Sequence, residues 1–425
     1  MHDIKVLRET PDKIREGIAK KGADTKLVDD SLEIDKKRRA ILQEVEKLKA
    51  ENNKVSGEIA KMKKEGKDAS EIIASMKSVT EKIKSLDEEL AKADEELTKK
   101  MSWIPNIPHS SVPAGKDETF NVEVSRWGEK PAFGFKPKPH WDIAEYLDII
   151  DSVRAAKITG ARFTLYKGAG ARMERALINF MLDVHAGEHG YTEVMPPILA
   201  NRDSMFGTAQ LPKLEPDMFK VVDPDYFLIP TAEVPVTSIH KDEILLEKDL
   251  PIYYTAYTPC FRKEAGSYGK DMKGIVRLHQ FNKVELVKLV HPDTSYDEHE
   301  KLLKDACSIL EKLGLHYRIV VLSSGDMSFA SAKTYDIEVW HPGGDRYWEV
   351  SSCSNFEDFQ ARRLKTRFKD RENKVRLVHT LNGSGLATSR LLPAILEVYQ
   401  TENMEVIVPE ALRPYMGGID KIKKK

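Results

Sequence analysis

Phe261-Arg262-Lys263-Glu264, a loop carrying Gly266, Gly269, Lys270, Lys273 and Gly274, and then Arg277-Leu278-His279-Gln280-Phe281-Asn282-Lys283-Val284-Glu285 join two strand-like runs, residues 252–257 and 281–290. Both runs are rich in β-branched and aromatic residues, as strands are. Further strand-like runs follow at 318–322, 336–340 and 347–351, the last two flanking His341-Pro342-Gly343-Gly344-Asp345, a hairpin turn. The chain has no G-x-G-x-x-G and no G-K-[ST] loop. Strands joined by hairpins without such a loop predict an antiparallel sheet rather than a doubly wound parallel one. Helices are expected at 174–189 and 386–401.

Unusual polar residues gather on or beside these strands. Besides the opening stretch they are Thr231-Ala232-Glu233, Glu349-Val350-Ser351-Ser352, and Asn382-Gly383-Ser384-Gly385-Leu386-Ala387-Thr388-Ser389-Arg390. This inventory suits a reaction on a polyphosphate. Arg262, Arg277 and Arg390 carry the planar fork of donors that neutralises phosphate. Glu349 is a candidate ligand for Mg²⁺ between phosphates, and Phe281 a platform for a base. Glu285 lies in the apolar run Val284-Glu285-Leu286-Val287 and needs a cationic partner if buried, a place an ammonium group would fill. No nucleophile–base pairing is evident, so positioning and electrostatics would carry the chemistry. Taken singly, each of these residues has an ordinary reading: a surface ion pair for an Arg or Glu, core for Phe281, a structural ring for His279, buried thiols for Cys260 and Cys353. Their conjunction, in order and local spacing, favours a site.

The N-terminal hundred residues have a different grammar. Residues 1–22 read as one short amphipathic helix with Ile4, Leu7, Ile14 and Ile18 on a face. Then Ile34, Arg38, Ile41, Val45, Leu48, Asn52, Val55, Ile59 and Met62 step by alternating fours and threes. After Glu65-Gly66-Lys67-Asp68 the spacing resumes at Ile72, Met76, Val79, Ile83, Leu86, Leu90, Ala93 and Leu97. That is the a/d pattern of a coiled coil folded back on itself. Limbs of about 35 residues reach roughly 50 Å. Lysines crowd the remaining faces, which fits a solvated coiled coil, a dimerisation zipper, or a rod laid along RNA. The prolines between 103 and 140 predict a linker without helix.

The chain has 425 residues, a 41% hydrophobic share and a net charge of −1, so no global basic signature of nucleic-acid binding is present. A local basic stripe is compatible with such a total. No apolar run is long enough to span a membrane, and charges interrupt the start of the chain where a secretory signal would be apolar, so the expected compartment is cytoplasmic. Three dispersed cysteines, Cys260, Cys307 and Cys353, suggest neither a disulfide framework nor a cysteine zinc site.

The Phe261-Arg262-x-Glu264 stretch, its basic loop and Arg277-x-His279-Gln280-Phe281 resemble motif 2 of class II aminoacyl-tRNA synthetases. Gly383-Ser384-Gly385-Leu386-Ala387-x-x-Arg390 resembles motif 3, and Gly190-Tyr191-Thr192-Glu193-Val194-Met195-Pro196-Pro197 after its helix resembles motif 1. With Thr231-Ala232-Glu233 and the hairpin arm, the resemblance is to the seryl-tRNA synthetases and covers essentially the whole chain. It implies an α+β class II fold: an antiparallel sheet flanked by helices in residues 141–425, a linker at 103–140, and a helical tRNA-binding domain at 1–102 with its antiparallel coiled-coil arm at about 28–100.

The resemblance also implies roles. Thr231, Ala232, Glu233, Arg262, Glu285 and Ser384 would line the serine pocket, Glu285 on the ammonium. Arg262, Lys263, Glu264, Phe281, Glu349, Val350, Ser351, Ser352 and Arg390 would bind ATP, with Arg262 on the α-phosphate, Phe281 under the adenine and Arg390 over it. Glu349 and Ser352 would hold Mg²⁺, and Arg262, Arg277 and Arg390 would serve catalysis. The implied activity joins L-serine to tRNA(Ser), and to tRNA(Sec) where it occurs, through a seryl-adenylate. A homodimer is implied, and no zinc is expected. A non-catalytic RNA-binding paralogue would have lost Arg262, Glu264, Glu285, Glu349 or Arg390, all of which are present. A ligase loading a carrier protein would lack the arm, and a coiled-coil scaffold would leave most of the chain unexplained. Lys263, Tyr268 and Thr388-Ser389 depart from the usual wording of the motifs; of these only Lys263 is among the implied ATP-binding residues.

Overall fold

The computed structural model describes residues 1–264 and 274–424. Gly266, Tyr268, Gly269, Lys270 and Lys273 of the motif 2 loop lie outside the described residues, as does the last lysine of the 421–425 tail. The chain divides into two compact units, Met1–Pro105 and Asn106–Lys425.

In the first unit two short helices, α1 (Ile4–Glu9) and α2 (Pro11–Lys20), precede two long ones, α3 (Lys26–Lys64) and α4 (Ser70–Met101). The single helix expected over 1–22 is therefore broken. Pro11 lacks an N–H and restricts the preceding Thr10, so it ends one helix and opens the next at its first position. Leu7, Ile14 and Ile18 are fully buried. Along the hairpin every a/d position is buried or half-buried, while nearly all the flanking lysines are exposed. Polar Arg38 is accommodated by an ion pair to Asp94 on the opposite limb. Lys49–Asp87 (2.9 Å), Lys82–Glu44 (2.6 Å) and Lys100–Asp30 (2.9 Å) also cross between limbs and mark the antiparallel register.

The second unit is built on an eight-stranded sheet. In chain order its strands are β1 (Val122–Trp127), β2 (Thr192–Glu193), β3 (Ile252–Phe261), β4 (Gln280–Val290), β5 (Tyr317–Val321), β6 (Lys333–His341), β7 (Arg346–Asn355) and β8 (His379–Ala387). They lie in the order β1-β5-β6-β7-β8-β4-β3-β2. All neighbours are antiparallel except the short edge strand β2, which runs parallel to β3. The expected hairpin at 341–345 joins β6 to β7.

Residues 103–140, read from their prolines as a linker, are part of this unit from Asn106 onward. Strand β1 pairs with β5 from Val122↔Val321 to Trp127↔Tyr317. All six of its residues are exposed, so it lacks the one-sided burial that makes alternation a strong signal. Asn106 is tied into the second unit, its Nδ2 donating to the carbonyls of Ala330 and Phe356, each at 2.9 Å.

Three helices cover the sheet: α5 (Ala169–Gly187), α6 (Ser295–Lys312) and α7 (Thr388–Val398). Val284, Leu286 and Val290 of β4 turn toward them and join Met173, Leu177, Leu302 and Ile309 in the main core. The period of two then sends Phe281, Lys283 and Glu285 to the opposite face, where the site lies. The last helix begins later than the expected residue 386. Strand β8 continues through Ala387, with Leu386 at φ 106° beside a bulge between Ser384 and Ala387.

Candidate active site

A cavity of about 760 Å³ opens over the free face of β4, β7 and β8. Strand alternation supplies its floor: Phe281, Lys283 and Glu285 from β4, Ser352 and Ser354 from β7, Asn382 and Ser384 from β8. Glu349 and Ser352 are three apart, a spacing that plain alternation would send to opposite faces. A bulge resolves this, since Ile337 pairs with Ser351 while Glu338 pairs with Glu349, leaving Val350 as the extra residue. Glycine is demanded at Gly385, where a Cβ would lie 2.9 Å from His185 Nε2 and 3.0 Å from Val284 Cγ1.

One end of the cavity is small and acidic. Ser384 stands opposite Glu285 in the β8–β4 register. Thr231 Oγ1 donates to Glu285 Oε2 at 3.0 Å and accepts from the Glu233 backbone N–H at 3.2 Å. Glu233 in turn accepts from Gln360 Nε2 at 2.6 Å, and Gln360 Oε1 accepts from the Thr380 hydroxyl at 2.7 Å. Burial, and then the neighbouring Glu285 charge, push the Glu233 carboxyl up to about 7. The cationic partner that buried Glu285 requires is the ammonium of Lys283, with which it forms an ion pair.

The other end is arginine-lined. Arg262 follows β3, its backbone N–H bonded to the carbonyl of His279 at 2.9 Å and its Nε donating to the carbonyl of Pro230 at 3.2 Å. Its guanidinium lies 5.2 Å from the centroid of the Phe281 ring. Arg277 reaches Glu264 at 3.6 Å. Arg390, on the first turn of α7, donates to the Glu349 carbonyl at 2.7 Å and lies 3.2 Å from its carboxylate. Behind Glu349, buried Asp336 sits opposite Ser352 on β6 with Oδ1 unpartnered. Burial, then the Glu349 charge, hold its carboxyl well above the usual carboxylate range. A cation at Glu349 would relieve that crowding of negative charge.

Thus Thr231, Glu233, Arg262, Glu264, Arg277, Phe281, Glu285, Glu349, Val350, Ser352, Ser384 and Arg390, drawn from five stretches of sequence, line one cavity. Ala232, Lys263 and Ser351 are not on its wall. Ala232 packs in a small core beneath it, Lys263 is exposed, and the Ser351 hydroxyl donates to the Ser384 carbonyl at 2.7 Å. Sequence reading missed Lys283, Asp336, Gln360 and Glu174. Glu174 is buried on α5, accepts from Asn282 Nδ2 at 2.8 Å and from the Thr388 hydroxyl at 2.5 Å, and so ties all three motifs together. The signal available was an acid inside an apolar helix, which demands partners but does not name them. The Thr388 departure in motif 3 is thereby an anchoring contact.

Comparison with known proteins gives the family. Residues 1–108 match the seryl-tRNA synthetase N-terminal domain, and residues 219–399 the tRNA synthetase class II core domain (G, H, P, S and T). The chain is 57% identical to a serine–tRNA ligase of Geobacter sulfurreducens, across 99% of the chain and all of that protein. It is 58% identical to that of Caldicellulosiruptor saccharolyticus, across 98% of the chain and 99% of the relative. The crystal structure of seryl-tRNA synthetase from Pyrococcus horikoshii complexed with ATP superposes with a TM-score of 0.93 at 39% identity, covering all of both chains. A cytoplasmic serine–tRNA ligase of Naegleria fowleri in complex with AMP superposes with a TM-score of 0.87 at 33% identity, covering 100% of this chain and 99% of the other. The chain belongs to the seryl-tRNA synthetase family of class II aminoacyl-tRNA synthetases.

Proposed function

We infer that this chain activates L-serine with ATP and transfers it to tRNA, as a serine–tRNA ligase. The observation that carries the reading is one cavity with an acidic, hydroxyl-bearing end at Thr231, Glu233, Glu285 and Ser384 and an arginine-lined end at Arg262, Arg277 and Arg390. An amino acid and a nucleoside triphosphate need that pairing of surroundings.

Serine's ammonium goes to Glu285 and Thr231, and its hydroxyl to the Glu233–Ser384 side. Alanine and glycine are rejected because they leave those polar groups unpaired. Threonine must be excluded by shape. The adenine lies on Phe281 with Arg390 over its other face, and Arg262 takes the α-phosphate. The serine carboxylate attacks the α-phosphorus in line, giving seryl-adenylate and pyrophosphate, and the terminal ribose hydroxyl of tRNA then takes the seryl group. Arg262 acts by stabilising charge that grows on the α-phosphate in the transition state. Glu349 and Ser352 suit Mg²⁺ arriving with ATP, which supplies charge neutralisation on the phosphates.

Residues 1–102 form the tRNA-binding domain in this reading, and the catalytic domain takes in the whole second unit from Asn106, including most of the expected 103–140 linker. The exposed lysines of α3, among them Lys47, Lys54 and Lys61, face the phosphates of the tRNA. A homodimer is part of the reading, supported by a second cavity whose lining includes exposed Met195, Leu199 and Ile239. So are a cytoplasmic location, a serine pocket working without zinc and, in a host that has it, serylation of tRNA(Sec). Among the described residues no helix is long and apolar enough to cross a membrane.

The test is pyrophosphate exchange driven by serine, threonine, alanine, glycine or cysteine, followed by charging of tRNA. Exchange led by serine and transfer to tRNA(Ser) are expected. No exchange from folded protein would overturn catalysis, and another preferred amino acid would overturn the serine assignment.

A further inference from the structure

The floor of the amino-acid pocket holds a cation belonging to the chain. Lys283 and Glu285 are two apart on β4 and therefore share a face. The Lys283 ammonium pairs with Glu285 Oε2 and donates to Thr231 Oγ1 at 2.8 Å. These two acceptors are the ones that the serine reading reserves for the ammonium of the substrate. Lys283 is 6% exposed, Glu285 2% and Thr231 4%, so the pairing is buried and not an incidental surface contact.

Two like ammonium groups cannot share one desolvated carboxylate and one hydroxyl without losing interaction energy. With serine's ammonium on Glu285, the Lys283 charge needs another counter-ion. The adjacent Glu233 is held protonated to about pH 7 by burial and by Glu285, and already accepts from Gln360. The new negative charge in the pocket is the carboxylate of serine itself, one Cα away from the ammonium that displaces Lys283.

We propose that Lys283 is a stand-in for the substrate: it occupies the ammonium position of the empty pocket, keeps Glu285 and Thr231 in binding geometry, and on serine binding passes from Glu285 to the serine carboxylate. This rests on the reading of the cavity as a serine site. It makes the pocket selective for zwitterions, because a ligand that evicts Lys283 without offering it a carboxylate leaves a buried ammonium unpaired. Serine affinity is thus a difference between two ion pairs, and Lys283 is a specificity-determining residue that also positions the attacking carboxylate.

The test compares serine with serinamide, which keeps the ammonium and the hydroxyl and lacks the carboxylate, on wild type, Lys283→Met and Lys283→Arg, by pyrophosphate exchange. In Lys283→Met the KM for serine is expected to rise about tenfold or more with a smaller fall in kcat, while serinamide inhibits about threefold more tightly because its competitor is gone. Lys283→Arg is expected to recover part of the serine KM without tightening serinamide. Serine and serinamide shifting together by one factor would mean a merely structural lysine and would overturn the proposal. An unchanged serine KM would do the same. Should the variants not fold, a crystal structure of the wild type with serine decides: Lys283 Nζ on the serine carboxylate supports the proposal, and Lys283 Nζ still on Glu285 overturns it. Absence of serine exchange in the wild type would instead sink the functional reading.

Discussion

The hairpin arm and the catalytic sheet solve the problem of burying polar groups in opposite ways. In the arm the seam has two polar members, Arg38 and Asn52, and Arg38 meets Asp94 at its edge, where both remain partly in water. Under the cavity, Lys283, Glu285, Glu233 and Asp336 are almost wholly buried: the Lys283 and Glu285 charges answer one another, while burial favours the neutral form of the Glu233 and Asp336 carboxyls. The ion pairs that cross between the two limbs are at least partly exposed and individually worth on the order of 0–1 kcal/mol. Those under the cavity sit where an unpaired charge costs several kcal/mol. The arm is thus built for a surface encounter and the sheet for chemistry that depends on fixed charge.

The largest separation of the two units comes from Arg262→Ala. With Arg262 on the α-phosphate as proposed, its loss should lower kcat for serine-dependent exchange by about 10²–10³-fold, while tRNA affinity measured by filter binding stays near wild type. A parallel loss of tRNA affinity would break the division of labour. Stability gives the next contrast. Leu286→Ala, in the centre of the sheet, should cost about 2–5 kcal/mol and lower the main unfolding transition. Val45→Ala in the hairpin seam should cost about half that and leave exchange kinetics unchanged, since half-buried neighbours there can close on the gap.

A smaller effect is electrostatic. The Glu233 carboxyl has a folded pKa raised to about 7 from an ordinary 4.5, so the folded state holds its proton more tightly than the unfolded state. Its favourable share is complete below the unfolded pKa and is lost as pH rises from about 4.5 through 7, at most about 3 kcal/mol. Denaturant titrations of Glu233→Gln should show a flatter pH dependence than wild type across that window, and equal slopes would refute the assignment. The smallest effect lies on the arm. Replacing Lys47, Lys54 and Lys61 by alanine should leave exchange intact and reduce the salt dependence of tRNA binding, by up to about 0.7–0.9 in log–log slope per lost phosphate contact.

Legibility followed the same division. Every a/d residue read from 34 to 97 is buried or half-buried, because a coiled coil is specified by local spacing and needs no knowledge of distant segments. Pro11 likewise carried a visible break in the first helix, though the apolar spacing around it suggested continuity. Strand β1 was hidden, since an edge strand exposed on both sides has no periodic burial to display. In the site, the arginines and acids stood out as unusual polar residues beside strands, and the resemblance gave them roles, whereas Gln360, Asp336 and Glu174 act through partners more than sixty residues away or across a strand pair that local pattern does not reveal.

Once 281–290 is a strand, the sequence alone determines that Phe281, Lys283 and Glu285 face together, because side-chain direction in a strand depends only on parity, although only Phe281 and Glu285 stood out in it. It also showed that Glu285, if buried and charged, requires a cation, because a carboxylate in an apolar run has no water to answer it. Only the tertiary structure decided which cation. Thr231 is brought against Lys283 and Glu285 across more than fifty residues of chain, and a bulge at Val350 turns Glu349 and Ser352 to one side. Such choices belong to pairing between strands, whose register is set by packing across the whole sheet and not by any one segment of it.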